Sequence, residues 1–295
     1  MTIDTEAKVR RRQRADDGCS SAVASRSSMH YPVLLRVEEY LDLAPRYGSE
    51  VIRVGSLVLF ASHTPWAYYA RPNRGNASPP RRKDLVRLRR VCKHRELPLR
   101  IEWIAEFSPE LENIAAAFGL RIARHPLLIL TEDEFVERSR SVGVRMLDPD
   151  DGQLIESRAV VHVVFDPTMP AAAGVVERDA RLLRLDHAEV NYAHQRARSG
   201  RTVTGVASVA GVGVVATGSY NPIGEVAEIV GVGTLPTYRH QGLGSDVVHQ
   251  LCEDAFSHGV QLIALVAEDE GVARMYQRLG FRRIGTCMSA QDCSF

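Results

Sequence analysis

The segment Glu225 to Leu251, EVAEIVGVGTLPTYRHQGLGSDVVHQL, constrains the chain more than any other. It begins as a β-branched strand, stops at Leu235-Pro236, turns through a basic, glycine-containing stretch and becomes a helix. In Glu225 to Thr234, alternation places Val226, Glu228, Val230 and Val232 on one strand face and Ala227, Ile229 and Gly231 on the other. Glu228 therefore shares a face with apolar side chains. After Arg239-His240-Gln241-Gly242-Leu243-Gly244, the apolar positions Val247, Val248, Leu251, Cys252, Ala255 and Phe256 recur at helical spacing up to Gly259. The start of a helix offers unpaired N–H groups and the positive end of its dipole. Gly242 and Gly244 remove the Cβ atoms that would keep a phosphate from the backbone, and Arg239 adds a charge. This turn can cradle a pyrophosphate, although Gly-x-Gly alone also fits a tight turn that needs positive φ.

Downstream, Leu262 to Val266 (LIALV) reads as a buried strand, followed by AEDEGVARMYQRLGF. There Val272, Met275, Tyr276 and Leu279 line one helix face, and Gly280 ends the helix. Three motifs in this order resemble the GNAT superfamily of acetyl-CoA-dependent N-acyltransferases. They are V-x-x-L-P at Val232 to Pro236, R-x-x-G-x-G at Arg239 to Gly244, and Y-x-x-x-G-F at Tyr276 to Phe281. The similarity covers about residues 143 to 286.

The resemblance implies an α/β fold: a mixed seven-stranded sheet flanked by helices, with acetyl-CoA as cosubstrate in a splay between the fourth and fifth strands. Carried over residue by residue, the backbone of Val232, Gly233 and Thr234 would hold the pantetheine arm. Arg239, His240, Gln241, Gly242, Leu243, Gly244 and Ser245 would hold the pyrophosphate, and Tyr276 would reach the thioester sulfur. Asp269 stands where family members often have asparagine, which puts the usual pantetheine contact in doubt. The chain ends soon after Cys287, so the last strand is expected to be short or replaced by the other half.

The first half repeats the order strand, Arg-Gly loop, helix, strand, helix, with Phe118-Gly119-Leu120 matching Leu279-Gly280-Phe281. It resembles the degenerate N-terminal unit of tandem GNAT proteins. Arg74-Gly75 lacks the second glycine, and Ala115 stands opposite Tyr276, so neither the phosphate turn nor the phenol survives there. In detail, Val51 to Phe60 is expected as one strand, Asp84 to Glu96 as a helix, Leu99 to Ile104 and Ile122 to Leu130 as strands. Thr202 to Tyr220 and Glu225 to Leu235 read as antiparallel strands, with Ser219 to Gly224 as an Asn-Pro turn. The expected organisation is a disordered polar arm over 1–30, a degenerate GNAT-like domain over 31–140 and a complete acetyltransferase domain over 143–295.

For amine acylation, Glu228 is the candidate base, with Glu225 and Glu268 nearby as alternatives. Its apolar neighbours would raise its pKa. Tyr276 is the candidate donor to the departing sulfur, and the N–H near Val232 could stabilise the developing oxyanion. No metal ligand set is visible. The five cysteines are scattered without C-x-x-C pairing and fit free thiols in a cytoplasmic protein. A net charge of +1 does not favour nucleic acid, and no run is long enough for a membrane span. Gly211-x-Gly213 mimics a dinucleotide fingerprint, but no helix is expected after it. The acceptor, a small-molecule or protein amine, carries no legible pattern, and a homodimer is left open. A non-catalytic acetyl-CoA-binding sensor or interaction module is the rival reading.

Overall fold

The computed structural model describes residues 31–65, 69–75, 78–138 and 143–292. The expected arm over 1–30 and the expected domain boundary near 140 lie outside these residues. A first helix, α1, covers 31–43, and the chain divides into two compact units at Glu39/Tyr40. The second unit, Tyr40–Phe295, carries the whole sheet.

Val51 to Phe60 is a hairpin and not the single strand that its apolar run implies. β1 (Ser49–Val54) and β2 (Leu57–Ser62) pair in antiparallel register, Val54 opposite Leu57, across Gly55-Ser56. Gly55 has φ +63°, and an added Cβ would lie 2.1 Å from Asp84 Oδ1. That carboxylate is fixed in place: it accepts the Ser56 hydroxyl at 2.8 Å and the Arg81 amide at 3.1 Å, capping the next helix. The Gly-Ser pair that interrupts the run is a two-residue turn signal, and the positive φ of Gly55 reverses the chain there.

A short strand, β3 (Ala70–Pro72), follows where the sequence gives no strand signal, and the rest of the first half is as expected: α2 (Arg82–His94), β4 (Arg100–Ile104), α3 (Leu111–Ala117) and β5 (Arg121–Thr131). Gly119, at φ +88°, closes α3 with paired bonds, its amide to Ala116 and that of Leu120 to Ala115. The second half comprises β6 (Val144–Met146), α4 (Gln153–Val164), α5 (Val175–Leu182), α6 (His187–Arg198), β7 (Val203–Val209) and β8 (Gly213–Ile223). It continues with β9 (Val226–Thr234), α7 (Leu243–Ser257), β10 (Leu262–Val266), α8 (Glu270–Gln277) and β11 (Arg282–Gln291). The Asn-Pro sequence is not the turn. Asn221 and Pro222 lie inside β8, opposite Glu228 and Ala227, and the reversal comes at Gly224 (φ +57°). Pro222 is tolerated because β7 ends opposite Tyr220, so the missing N–H falls where no strand lies on that side. Gly211-x-Gly213 turns β7 into β8, so a strand follows it where a dinucleotide fold needs a helix.

All eleven strands form one sheet in the order β1-β2-β3-β4-β11-β5-β10-β9-β8-β7-β6. The two halves exchange their last strands. β5, from the first half, lies between β10 and β11 and is antiparallel to both. β11, from the second half, lies between β5 and β4 and is antiparallel to both. Of the two expectations for the last strand of the second half, short or replaced by the other half, a short strand is not found, since β11 has ten residues, and the place beside β10 is taken by β5 of the first half.

Three clusters hold the sheet. Helices α2 and α3 cover the first-half strands through Leu85, Leu88, Leu111 and Trp103, and Met288 and Ala290 of β11 join them. On the second half, α7 and α8 bury Val247, Leu251, Phe256 and Tyr276 against Ala227, Ile229 and Leu128. The other face takes α4, with Leu154, Val160 and Val163 against Val206, Val214 and Val215. Among the described residues no helix is long and apolar enough to cross a membrane.

Removing β5 would strip the neighbour from both β10 and β11 and take Leu128 and Leu130 out of the core, leaving Ile263 and Leu265 of β10, now buried, without that cover. A fragment covering 143–295 alone is expected to aggregate on expression, and co-expression with 31–142 is expected to return a soluble 1:1 complex by size-exclusion chromatography. A soluble, cooperatively unfolding 143–295 fragment would contradict this.

Candidate functional site

The site begins where two parallel strands separate. β9 and β10 pair only at Val226, Ala227 and Glu228, opposite Leu262, Ile263 and Ala264. Beyond that point β9 stays with β8, while Leu265 and Val266 pair with Leu128 and Leu127 of β5. Just past the divergence β9 carries a bulge. Ser219 opposes Val230 and Thr217 opposes Gly233, so one extra residue fits on β9, and Gly231 takes φ +61°. The bulge corrects the simple alternation: Val232 does not share the Glu228 face but packs with Ala227 and Ile229 on the α7 side. Gly233, buried on β9, would place a Cβ 3.0 Å from Val164 of α4. Its smallness thus serves helix packing.

A cavity of about 990 Å³ opens at the divergence. Glu228, Val230 and Gly231 of β9, Val266 of β10 and Cys287 of β11 line it from the sheet. Glu102 of β4, Tyr40 and Tyr69 come from the first half, and Arg158, His162, Arg196 and Arg201 come from or near α4 and α6. Of the three carboxylates considered as base, Glu228 alone lines the cavity; Glu225 and Glu268 are exposed elsewhere.

Burial pushes the Glu228 carboxyl up to about 7, with the negative field of Glu102 adding to the rise and Arg71 opposing it. Glu102 is raised for the same reason, burial, against the fields of Arg71, His125 and Arg100. Arg71 itself is wholly buried and acts on both carboxylates. The phenols of Tyr40 and Tyr69 are pushed well up, first by burial and then by the carboxylates, so both stay protonated. Tyr40 donates its hydroxyl to the Asn221 carbonyl at 2.8 Å.

On the far side of β9, the chain passes through a single 3-10 turn (Pro236–Tyr238) into the glycine turn. His240 and Gly242 both have positive φ, +63° and +82°. Gly242 is the N-cap of α7 with no side-chain cap, and the first internal bond of the helix is from Asp246 to the Gly242 carbonyl. The amides of Leu243, Gly244 and Ser245 therefore precede any partner within the helix. A Cβ on Gly242 would meet nothing within 4 Å, so the space before these amides is open on the protein side. Arg239, exposed, is held over the turn by a 3.3 Å bond from Nε to the Thr234 carbonyl; His240 and Gln241 are exposed beside it. These features fit a diphosphate.

Two expected site residues are placed differently. Tyr276 is buried against Phe281, with ring centroids 5.7 Å apart, and does not line the cavity. Burial and the nearby Cys252 raise its phenol. Asp269 caps α8, accepting the Val272 amide at 2.8 Å, so its carboxylate is already occupied. Residues not singled out in the sequence include Glu102, Tyr40, Tyr69 and Arg71. Glu102 had a readable signal, as a carboxylate alternating with Ile101 and Trp103, which are in the core. The tyrosines and Arg71 had none. Among the described residues no group of three metal-ligating side chains occurs, and Cys92, Cys252 and Cys287 are free thiols.

Residues 175–281, from α5 through the end of α8, match the Acetyltransferase (GNAT) family. The chain carries a GNAT domain. Its likeness to solved structures extends well beyond that domain. A GCN5-related N-acetyltransferase from Kribbella flavida aligns over 88% of this chain and 95% of its own, with a TM-score of 0.67 at 21% identity. A tandem GNAT protein from the clavulanic acid biosynthesis pathway aligns over 82% of this chain and 81% of its own, with a TM-score of 0.54 at 14% identity. These identities establish a shared fold, the GNAT fold spread over a tandem chain. No curated protein matches the sequence.

The raised Glu228 pKa has a consequence for stability. The folded chain holds a proton on Glu228 up to about pH 7, whereas the unfolded chain releases it near the ordinary value of 4.5, so stability falls as pH rises through this window. E228Q, which removes the buried charge, is expected to raise Tm at pH 8 by several degrees and to change it little at pH 4.5. A Tm difference that does not grow with pH would contradict the assignment.

Proposed function

We propose that this protein is an N-acyltransferase that moves an acetyl group from acetyl-CoA to a primary amine by direct attack. The observation that carries the reading is the placement of Glu228, a carboxylate with its pKa near neutrality, in a cavity at the point where β9 and β10 diverge. The open amides of the α7 N-terminus support it from the other side. On this reading, Leu243 to Ser245 and Arg239 hold the diphosphate of coenzyme A. The backbone of Val232 to Thr234, unpaired on its β10 side, holds the pantetheine arm. Acetyl-CoA supplies an activated acyl group as a thioester.

An alkyl ammonium has a pKa of ~10.4 and cannot attack until it loses a proton. Glu228, directly or through a water, takes that proton at neutral pH, where its own carboxyl is poised between its two forms. The C–N bond forms as the C–S bond breaks, and the sulfur leaves with a proton. The resemblance assigns that proton to Tyr276, whose phenol burial keeps protonated but whose ring is packed in the α7–α8 core and not on the cavity wall. Glu102 and Arg71 act through Glu228 as positioning residues, one raising and the other lowering its pKa. The first half of the chain thus contributes to the site in the second. We read it as a degenerate GNAT-like unit with a structural and site-shaping role.

Calorimetry is expected to detect acetyl-CoA binding, weakened at least tenfold in Gly242→Val, where a side chain would both strain the turn and stand before the amides. Thiol release with an amine panel is expected to rise with pH around 7. E228Q should lower kcat about a hundredfold or more, the usual weight of a general base, and remove that rising limb. Y276F should lower kcat with little effect on acetyl-CoA affinity. Binding of acetyl-CoA without transfer to any amine would leave a binding module in place of an enzyme.

A further inference from the structure

The cavity wall carries an excess of positive charge that acyl transfer to a simple amine does not use. Four arginines line it: Arg158, Arg181, Arg196 and Arg201. Two are neutralised at once. Arg158 and His162 share Glu189, at 2.9 and 2.7 Å, and Arg181 pairs with Asp166 at 2.6 Å. The other two form no ion pair with a carboxylate among the described residues. Arg196 is held by neutral groups: its Nε donates to Thr202 Oγ1 at 2.7 Å, and its Nη2 to the Arg201 carbonyl at 2.9 Å and to Asn221 Oδ1 at 3.1 Å. Arg201, exposed, lies over the Tyr47 ring with its guanidinium carbon 4.8 Å from the centroid. Both guanidiniums are positioned without being discharged.

Their distance from the base is set by strand register. Asn221, which holds Arg196, is the β8 residue directly opposite Glu228 on β9, and both line the cavity. Directly paired residues lie ~5 Å apart at Cβ, so a fixed cation and a deep carboxylate stand one cross-strand step from each other. Tyr40 lies between them, its hydroxyl on the Asn221 carbonyl and its phenol in the fields of Glu228 and Arg196 alike. A plain alkylamine would use one end of this arrangement. A diamine would bring a second cation toward the arginines.

We infer that the acceptor is a small molecule bearing both an amine and an acid group, carboxylate or phosphate, with Arg196 and Arg201 gripping the acid and Glu228 receiving the amine. The inference rests on the acyl-transfer reading of the same site. It selects a zwitterionic small molecule over polyamines and over the lysine side chain of a folded protein. It also gives the Arg196–Thr202–Asn221 network a function: neutral acceptors hold Nε and Nη2 and leave the two N–H groups of Nη1 to a ligand, so little ordering is left for binding.

The test is a matched ladder of acceptors at two, four and six carbons: ω-amino acids, n-alkylamines and α,ω-diamines, with phosphoethanolamine against ethanolamine to separate phosphate from carboxylate. Each is measured by calorimetry on the full-length protein, with and without acetyl-CoA, and by thiol release. At its best length the amino acid or the phosphoamine is expected to bind about tenfold or more tightly than the amine lacking the acid, the weight of one charge-assisted contact. The diamine should be the weakest. R201Q and R196Q should each raise KM for that acceptor about tenfold, with the change in KM and not in kcat, while acetyl-CoA affinity stays as it was. R201Q is the safer variant, because the Arg201 side chain is exposed and stacks only on Tyr47. Equal affinity for acidic and plain amines overturns the inference and leaves acyl transfer standing. Loss of acetyl-CoA affinity in R201Q and R196Q also overturns it, since the arginines would then hold the cosubstrate. Binding of the acidic amine without any acyl transfer upholds this subsite and removes the enzymatic reading.

Discussion

The antiparallel pairing of β5 with β11 is the interaction on which the rest depends. Each strand belongs in sequence to one half and lies in the sheet beside strands of the other, so eleven strands close into one surface with no internal edge. Neither half has a complete sheet without its neighbour. The exchange also brings β4 within reach of the second half, and β4 carries Glu102. The first half thereby supplies a carboxylate and two tyrosines to the cavity, with the buried Arg71 acting on both carboxylates.

A second constraint is the short parallel pairing of β9 with β10. Three paired residues hold the strands together, after which β10 follows β5 and β9 follows β8. Backbone on β9 beyond Glu228 is thus left unpaired on one side within the body of the protein, an arrangement that is costly unless a ligand or water completes it. The Gly231 bulge adds to this by re-aiming Val232 into the α7 core and leaving Val230 and Gly231 on the cavity. Strand divergence, bulge and uncapped helix start follow one another along a single stretch of chain, which is why one sequence segment dominates the site.

The electrostatics follow from the same geometry. Desolvation raises the carboxyls of both Glu102 and Glu228, the field of Glu102 adds to the rise at Glu228, and the buried Arg71 opposes it at both. The cations that remain unneutralised line the same cavity, from α6 and the loop after it. Unlike charges lining one cavity, each held by protein groups, are a pattern that favours a ligand with both signs.

What the sequence determined by itself was local. Period and punctuation were enough for the strand-turn-helix at Val226 to Ser257, for α2, α3 and β4, and for the glycine that ends α3, because each depends on contacts within a few residues. The same reasoning identified Glu228 as a carboxylate on an apolar strand face. It failed at Gly55-Ser56, where a legible two-residue turn signal divides what reads as one apolar strand, and where a bulge shifted the alternation before Val232. Only the tertiary structure decided that the last strands change places, that Tyr276 lies in the core and Asp269 on a helix cap, and that Glu102, Glu228 and Arg196 line one cavity. The strand exchange depends on pairings between residues more than a hundred positions apart, which leave no periodic trace in either partner, whereas the Asp269 cap is a local contact with Val272.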